Sequence, residues 1–319
     1  MNNNPLVSIL VPVYNVEAYL SRCLDSLVGQ TYPHLQIVLI DDGSTDGSWM
    51  VMQQYAARDE RIEIYHQENQ GVAVTRNHLL EKIKGDFVLF VDSDDWVELN
   101  MIESMLSLQN EYKTDIVVCS MVKNDGEIIS IEKSSNVRYS QSEIIKAFCE
   151  HTWLSGSLCN KLVRTSLLHN TKFHCGISYG EDALFCWSLL QHVSNGVLVT
   201  NAQFYHYRMN ENSISHQTWS PHKKGTGTIV WKTIVEECEQ HWPQYVDVAK
   251  ARYAIEDMWG LYFASLSGYP LDEHIKSRQE NVRKHLGLMR KSGLINYKKI
   301  LVAYVLSYCY RIGALLRYM

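Results

Sequence analysis

The sequence predicts an α/β protein whose central sheet is mostly parallel and flanked by helices, followed by a region that is helical throughout. Three observations predict it. Short runs rich in Val and Ile recur at 7–13, 36–40, 62–65 and 87–91. The segments between them repeat their apolar residues with helical period, which is the pattern of β-α-β units. From about Trp219 onward nearly every segment has helical period, so one α/β domain over 1–218 and a helical region over 219–319 are expected.

Each element has a local cause. Val16, Leu20, Cys23, Leu24 and Leu27 form one apolar stripe on a helix after the first strand, with Asn15 placed to cap it. Asp46 and Ser48 open a second helix toward Arg58, and 72–83 reads as a third, closed by Gly85. Beyond Asp92 the alternation loosens to a strand at 116–120, helices at 142–150 and 181–192, and a late strand at 204–208. No internal repeat interrupts the chain.

The 319 residues, 46% hydrophobic and 20% charged, suffice for one large core or two modest ones. A net charge of −5 and a pI of about 6.2 provide no basic excess for nucleic acid, which sets that class of partner aside. Eight cysteines at 23, 119, 149, 159, 175, 186, 238 and 309 contain no Cys-x-x-Cys pair, so reduced thiols are expected rather than a zinc cluster or disulfide framework. The segment 1–5 lacks the charged and apolar parts of a secretory leader, and the expected location is cytoplasmic.

The run 87–91 ends in Asp92-Ser93-Asp94-Asp95, which puts acids at the carboxyl edge of the sheet, where open α/β folds bind ligands. Strand alternation would let Asp92 and Asp94 point the same way and Asp95 another, so two carboxylates would converge on Mg²⁺ or Mn²⁺ bridging a diphosphate. A solvated acidic turn is the bland alternative. A haloacid-dehalogenase-type phosphohydrolase is the sharper one, although its pattern continues to Thr or Val where Trp96 stands.

A second acidic loop runs Asp41-Asp42-Gly43-Ser44-Thr45-Asp46-Gly47. It matches the start of an EF-hand calcium loop, but Gln53 stands where the bidentate Glu is required, and a strand precedes it. As a strand-to-helix turn it offers Asp41 as an acceptor for a base or ribose, with Gly43 permitting the bend. Arg76 lies on the apolar stripe of Val72, Leu79, Leu80 and Ile83, so its guanidinium needs an anion: a nearby Asp or a phosphate.

Val11-Pro12-Val13-Tyr14-Asn15, the Asp41–Asp46 loop, Gln70-Gly71-Val72-Ala73-Val74-Thr75-Arg76-Asn77 and Asp92-Ser93-Asp94-Asp95, in this order and spacing, resemble the family 2 glycosyltransferases. The match is close over the first third of the chain. More loosely, Tyr179-Gly180-Glu181-Asp182 is similar to the family's Glu-Asp motif, and Tyr205-His206-Tyr207-Arg208 with Ser213 and Ser215 to its closing loop. The resemblance implies a Rossmann-like GT-A fold, a nucleotide-binding part near 5–120 and an acceptor part near 121–218. It also implies inverting transfer of a hexose from a nucleotide-diphosphate sugar, most often UDP-linked, in polysaccharide synthesis. Pro12, Tyr14, Asn15, Asp41, Asp42, Arg76, Asp92 and Ser93 would then surround the nucleotide, with Asp94 and Asp92 on Mn²⁺ or Mg²⁺. Asp182 would be the general base, and His206 and Arg208 would close over the diphosphate. Glu181 and Asp182 also suit a helix N-terminus, and His206 and Arg208 an ordinary edge strand. Asn160-Lys161 is a further family-like segment, with Lys161 facing acceptor or solvent. A sugar-nucleotide or calcium-binding module without turnover is the non-enzyme alternative.

The segment 297–319 carries Ile300, Leu301, Tyr304, Tyr308, Ile312, Leu315 and Leu316 at helical spacing, flanked by Lys298, Lys299, Arg311 and Arg317. Its apolar part, 300–316, is broken by Ser307 and Arg311 and falls short of the ~20 residues of a membrane span. Two readings stay open. One is an interfacial helix that brings the protein to the inner face of a membrane, as a lipid-linked glycan acceptor requires. The other is an amphipathic helix packed on the catalytic domain or on a second copy in a homodimer.

Overall fold

In the computed structural model, which describes residues 4–123, 128–129, 136–150, 154, 157–209, 220 and 224–313, the chain divides into two compact units. The first comprises 1–145, 156–175 and 188–210, the second 146–155, 176–187 and 211–319, so the second takes in two segments upstream of residue 218. Ser213, Ser215, Leu315, Leu316 and Arg317 lie outside the described residues.

The first unit is built on β1 (Val7–Val13), β2 (Leu35–Asp41), β3 (Ile62–His66), β4 (Phe87–Phe90), β5 (Trp96–Val97), β6 (Ile116–Lys123), β7 (Ile128–Ile129), β8 (Val137–Tyr139), β9 (Lys161–Arg164) and β10 (Val197–Tyr207). The main path of the sheet is β3-β2-β1-β4-β9-β6-β10-β5. Pairing is parallel across β3-β2-β1-β4 and again for β6 with β10, while β9 enters antiparallel to both β4 and β6. The helices are α1 (Glu17–Val28), α2 (Ser48–Ala56), α3 (Val72–Leu80), α4 (Met101–Tyr112) and the start of α5 (Gln141–Glu150), whose residues from 146 on belong to the second unit. One core forms where Val7, Ile9, Val11 and Val13 of β1 meet Leu20, Leu24 and Leu27 of α1, Met52 of α2 and Met101 and Met105 of α4. Each such fully buried aliphatic side chain contributes about 1.5–3 kcal/mol, which fixes the faces of the strands and hence where their ends point.

Two local expectations change. Asn15 does not cap α1: Val16 holds the cap position without a side-chain hydrogen bond, while Asn15, at φ 51°, accepts through Oδ1 from the Thr45 amide at 2.8 Å. α3 stops at Leu80, five residues before Gly85. Gly85 is required for a different reason: a Cβ there would lie 2.7 Å from the Leu6 carbonyl oxygen and the Ser8 amide nitrogen.

Ahead of the helical region lies α6 (Glu181–Leu190), whose first residues belong to the second unit. That unit continues through α7 (Gly227–His241), α8 (Val246–Leu266), α9 (Glu273–Ser292) and α10 (Tyr297–Tyr308). Asp272 caps α9 by accepting from the Ile275 amide, Gly293 ends it at φ 68°, and Asn296 caps α10 by accepting from the Lys299 amide. Ile255, Met258 and Leu261 of α8, Ile275, Val282 and Met289 of α9 and Ala303 and Leu306 of α10 share a second core. A buried Arg278–Asp257 pair at 2.8 Å, joined by Asn281 Nδ2 at 2.7 Å, sits beside it. α10 ends at Tyr308, short of the helix expected to 319. Its chain turns there as Tyr310, 3% exposed, buries its ring and donates its hydroxyl to the Tyr269 carbonyl. Among the described residues no helix is long and apolar enough to cross a membrane. All eight cysteines are free thiols, with only Cys175 and Cys309 exposed.

Candidate active site

The carboxyl ends of β1, β2 and β4 lie side by side because these strands pair in parallel, with Leu10 opposite Phe90 and Val13 opposite Asp41. The last β1–β4 rung runs from the Val91 amide to the Leu10 carbonyl at 3.0 Å. The next would need an amide proton on residue 12, which proline lacks. Half-buried Pro12 thus ends that ladder and frees the chain to turn at Asp92. Tyr14, 49% exposed, follows at the same edge.

In the loop after β2 every carboxylate already has protein donors. Asp41 has no exposed side-chain surface and meets His66 Nδ1 at 2.7 Å; His66 is half exposed and lies against Trp49. Asp42 Oδ1 accepts from the Gln70 amide at 2.9 Å and from Gln67 Nε2 at 2.8 Å, and its Oδ2 accepts from the Gly71 amide at 2.9 Å. Asp46 accepts from the Glu17 and Ser48 amides, both at 3.0 Å. Burial pushes the Asp46 carboxyl up, and the bonds from Ser48 and Glu17 outweigh it, leaving it below its ordinary range. Asp46 is thereby a clasp rather than a calcium ligand. Gly43, at φ 73°, permits the bend, and a Cβ there would approach the Asn69 amide nitrogen to 2.8 Å.

The turn after β4 is different. It closes from the Asp95 amide to the Asp92 carbonyl at 3.0 Å, and the strand has already ended at Phe90, so strand alternation does not set the directions of its acids. Asp95 is 1% exposed and accepts from Tyr205 Oη and from the Arg208 amide, both at 2.7 Å. Tyr205 in turn accepts from the Asp92 amide at 3.1 Å, so one buried phenol bridges both ends of the turn. Asp92 meets Arg76 Nη2 at 3.1 Å, the anion that the buried guanidinium of Arg76 required. Arg208 Nε donates to the Asp94 carbonyl at 3.1 Å, and its guanidinium stacks over Tyr19 and Trp96. Burial and the neighbouring Asp92 charge push the Asp94 carboxyl up to about 6. Burial followed by the charges of Asp92 and Asp94 raises Asp95 as well. Ser93 between them is buried.

These groups discriminate among cation sites. Ligand atoms of Asp92, Asp95 and Cys159 lie within 4.8 Å of one another. Both Asp95 oxygens are taken by Tyr205 and Arg208, and burial and the charges of Asp92 and Asp95 raise the Cys159 thiol, so this trio does not suit Mg²⁺ or Mn²⁺. Asp92 and Asp94 offer carboxylate oxygens instead: burial and then the Asp92 charge raise Asp94, and a divalent cation held there would neutralise that repulsion.

The remaining sequence candidates divide. His206 stacks on Trp96 at 5.0 Å and meets Glu98 Oε1 through Nε2 at 2.6 Å, in β10 where it pairs with β5. Lys161 does not face solvent: it is 4% exposed in β9, with Nζ on Asn160 Oδ1 at 2.9 Å and on the Ser157 carbonyl. Asp182 stands in the first turn of α6, in the second unit. Tyr205 is marked in the sequence only as part of a motif, and nothing local to His66 marks it. Both act on acids distant in sequence.

The fold and the acidic edge of its sheet define a GT-A protein. TarS of S. aureus in complex with UDP-GlcNAc superposes with a TM-score of 0.73 at 22% identity, covering 97% of this chain and 90% of that one. The mannosyltransferase PcManGT of Pyrobaculum calidifontis, in complex with GDP-Man and Mn²⁺, gives 0.56 at 14% identity over 97% and 88%. The family model described as Glycosyl transferase family 2 matches residues 8–172, and the chain belongs to that family. Glycosyltransferase GlyA of Streptococcus pneumoniae serotype 4 (strain ATCC BAA-334 / TIGR4) is 30% identical over 299 residues, 90% of this chain and 39% of GlyA. The chain spans less than two thirds of the length of this and the other foremost curated relatives.

Proposed function

We propose that this chain transfers a sugar, with inversion, from a nucleotide-diphosphate donor, UDP-linked in the first instance, to a hydroxyl of a glycan or lipid-linked acceptor. The observation that carries this reading is the turn after β4. It is locked by Tyr205 and Arg208 and holds the Asp92 and Asp94 carboxylates at the same sheet edge as the Asp41–His66 pair, one strand apart. Tyr14, Asn15, Asp41 and His66 form the base-reading end, with Asp41 orienting the imidazole. Arg76 and Arg208 supply positive charge on either flank of the acids. Asp92 and Asp94 would hold Mn²⁺ or Mg²⁺, which supplies Lewis-acid stabilisation of a leaving diphosphate. Asp182 takes the proton of the acceptor hydroxyl.

Nucleotide release from UDP-, GDP- and dTDP-sugars, with and without Mn²⁺, tests the reading. Turnover of one donor class only with cation supports it. Donor binding without turnover points to a binding module, and phosphomonoester cleavage without sugar transfer points to a phosphohydrolase. Asp182→Asn is expected to lower transfer about 10²–10⁴-fold while leaving donor affinity intact. Lost affinity would remove Asp182 from the role of base.

A further inference from the structure

α10 packs only one of its faces. Ala303 and Leu306 are fully buried against α8 and α9, whereas Tyr297, Leu301, Tyr304 and Tyr308, at i, i+4, i+7 and i+11, are 78%, 53%, 53% and 63% exposed. These four fall on one stripe of the helix. Exposed aromatic rings aligned this way are costly in water and mark a contact surface. The Tyr304 and Tyr308 rings lie 5.2 Å apart, and exposed Lys298 and Lys299 stand in the first turn. Lys299 Nζ sits over Trp259 of α8 at 5.5 Å.

Charge identifies what covers the stripe. Eight of the chain's 30 Lys and Arg and none of its 35 Asp and Glu fall in 281–319, so this stretch carries +8 while 1–280 carries −13. A second copy docked face to face on the same stripe would set Lys298, Lys299 and Arg311 against their own counterparts, with no acid in 281–319 to pair them. An anionic bilayer surface instead complements it. Tyrosines with flanking Lys and Arg on a helix too short to span are the composition of an interfacial helix.

We propose that the exposed stripe of α10 seats the protein on an anionic lipid surface, with Tyr297, Leu301, Tyr304 and Tyr308 in the headgroup layer and Lys298, Lys299 and Arg311 against lipid phosphates. This surface does not depend on the donor chemistry proposed above. Its failure would leave that reading intact, because nucleotide release from a soluble donor needs no membrane.

Co-sedimentation of the full chain with phosphatidylcholine vesicles, with and without about one-third phosphatidylglycerol, tests it. Sedimentation with the anionic vesicles alone is expected, reversed by high salt. Lys298→Ala with Lys299→Ala lowers the partition coefficient about 25-fold, about fivefold per cation. Leu301→Ser with Tyr304→Ser lowers it about tenfold or more. The Lys299–Trp259 and Tyr304–Tyr308 contacts lie at the surface, so melting temperatures are expected to stay close to the parent value, which separates lost docking from lost folding. Anionic vesicles that leave the chain in the supernatant, or variants that sediment as the parent does, overturn the proposal. So does a dimer that Leu301→Ser with Tyr304→Ser dissolves, seen without vesicle binding.

Discussion

Two acidic turns stand at the same edge of the sheet, one after β2 and one after β4, and they treat their carboxylates in opposite ways. In the first, Asp41, Asp42 and Asp46 are each met by donors from the loops around them. In the second, the protein satisfies Asp95 and ties Asp92 to Arg76, while burial and the Asp92 charge raise Asp94 to about 6. Acidic composition alone says nothing about whether a turn holds itself together or waits for a cation. The donor inventory around each oxygen decides it.

The sharpest way to break this contrast is to remove an acid from the first turn. Asp42→Ala strands the Gln70 and Gly71 amides and leaves Gln67 Nε2 with Thr75 Oγ1 alone, and is expected to destabilise the fold by about 3 kcal/mol, measured by denaturant unfolding. A stable Asp42→Ala protein with damaged donor binding would instead make Asp42 a ligand contact. Tyr205→Phe tests the second turn's frame. It unpairs the Asp92 amide and one Asp95 oxygen, at a cost of about 1–2 kcal/mol, and donor affinity weakens with it. If affinity is unmoved, Tyr205 only packs.

The smallest effect is the pH profile, and the two turns give it opposite signs. Asp46 is held below its ordinary range, so its contribution is present at neutral pH and lost as pH falls below about 4. Buried Asp115 behaves alike: burial pushes its carboxyl up, but bonds from Asn195 and Ser194 outweigh that. Asp94 runs the other way. Folded, it keeps its proton to about 6, whereas the unfolded chain releases it near ~4, so the cation-free protein loses stability as pH rises through that window. Melting curves between pH 3 and 8 with and without Mn²⁺ check this. Mn²⁺ should restore the loss above about pH 6, and identical curves would remove the cation site.

Much of the first unit was legible because its Val and Ile runs match β1, β2, β3 and β4 to within a residue or so, and the stripe from Leu20 to Leu27 matches α1. What escaped was set by contacts between distant residues. Gly85 answers to the backbone of Leu6 and Ser8, and Lys161 is buried because β9 threads antiparallel between β4 and β6. The directions of Asp92 and Asp95 come from a turn and from Tyr205, 110 residues beyond Asp95, so a period-2 argument had no hold there. His66 was passed over for the same reason, since only the pairing of β2 with β3 brings it to Asp41. For α10, spacing identified the helix, but only the packing of Ala303 and Leu306 separates its buried face from its bare one.

The central claim is that Asp92 and Asp94 hold a cation that in turn holds the donor diphosphate. Calorimetric titration of a UDP-sugar into the parent protein and into Asp94→Asn, each with and without Mn²⁺, tests it most directly. Mn²⁺ is expected to tighten donor binding to the parent by about 10-fold or more and to do nothing for Asp94→Asn. Equal enhancement by Mn²⁺ in both proteins, or none in either, would contradict it.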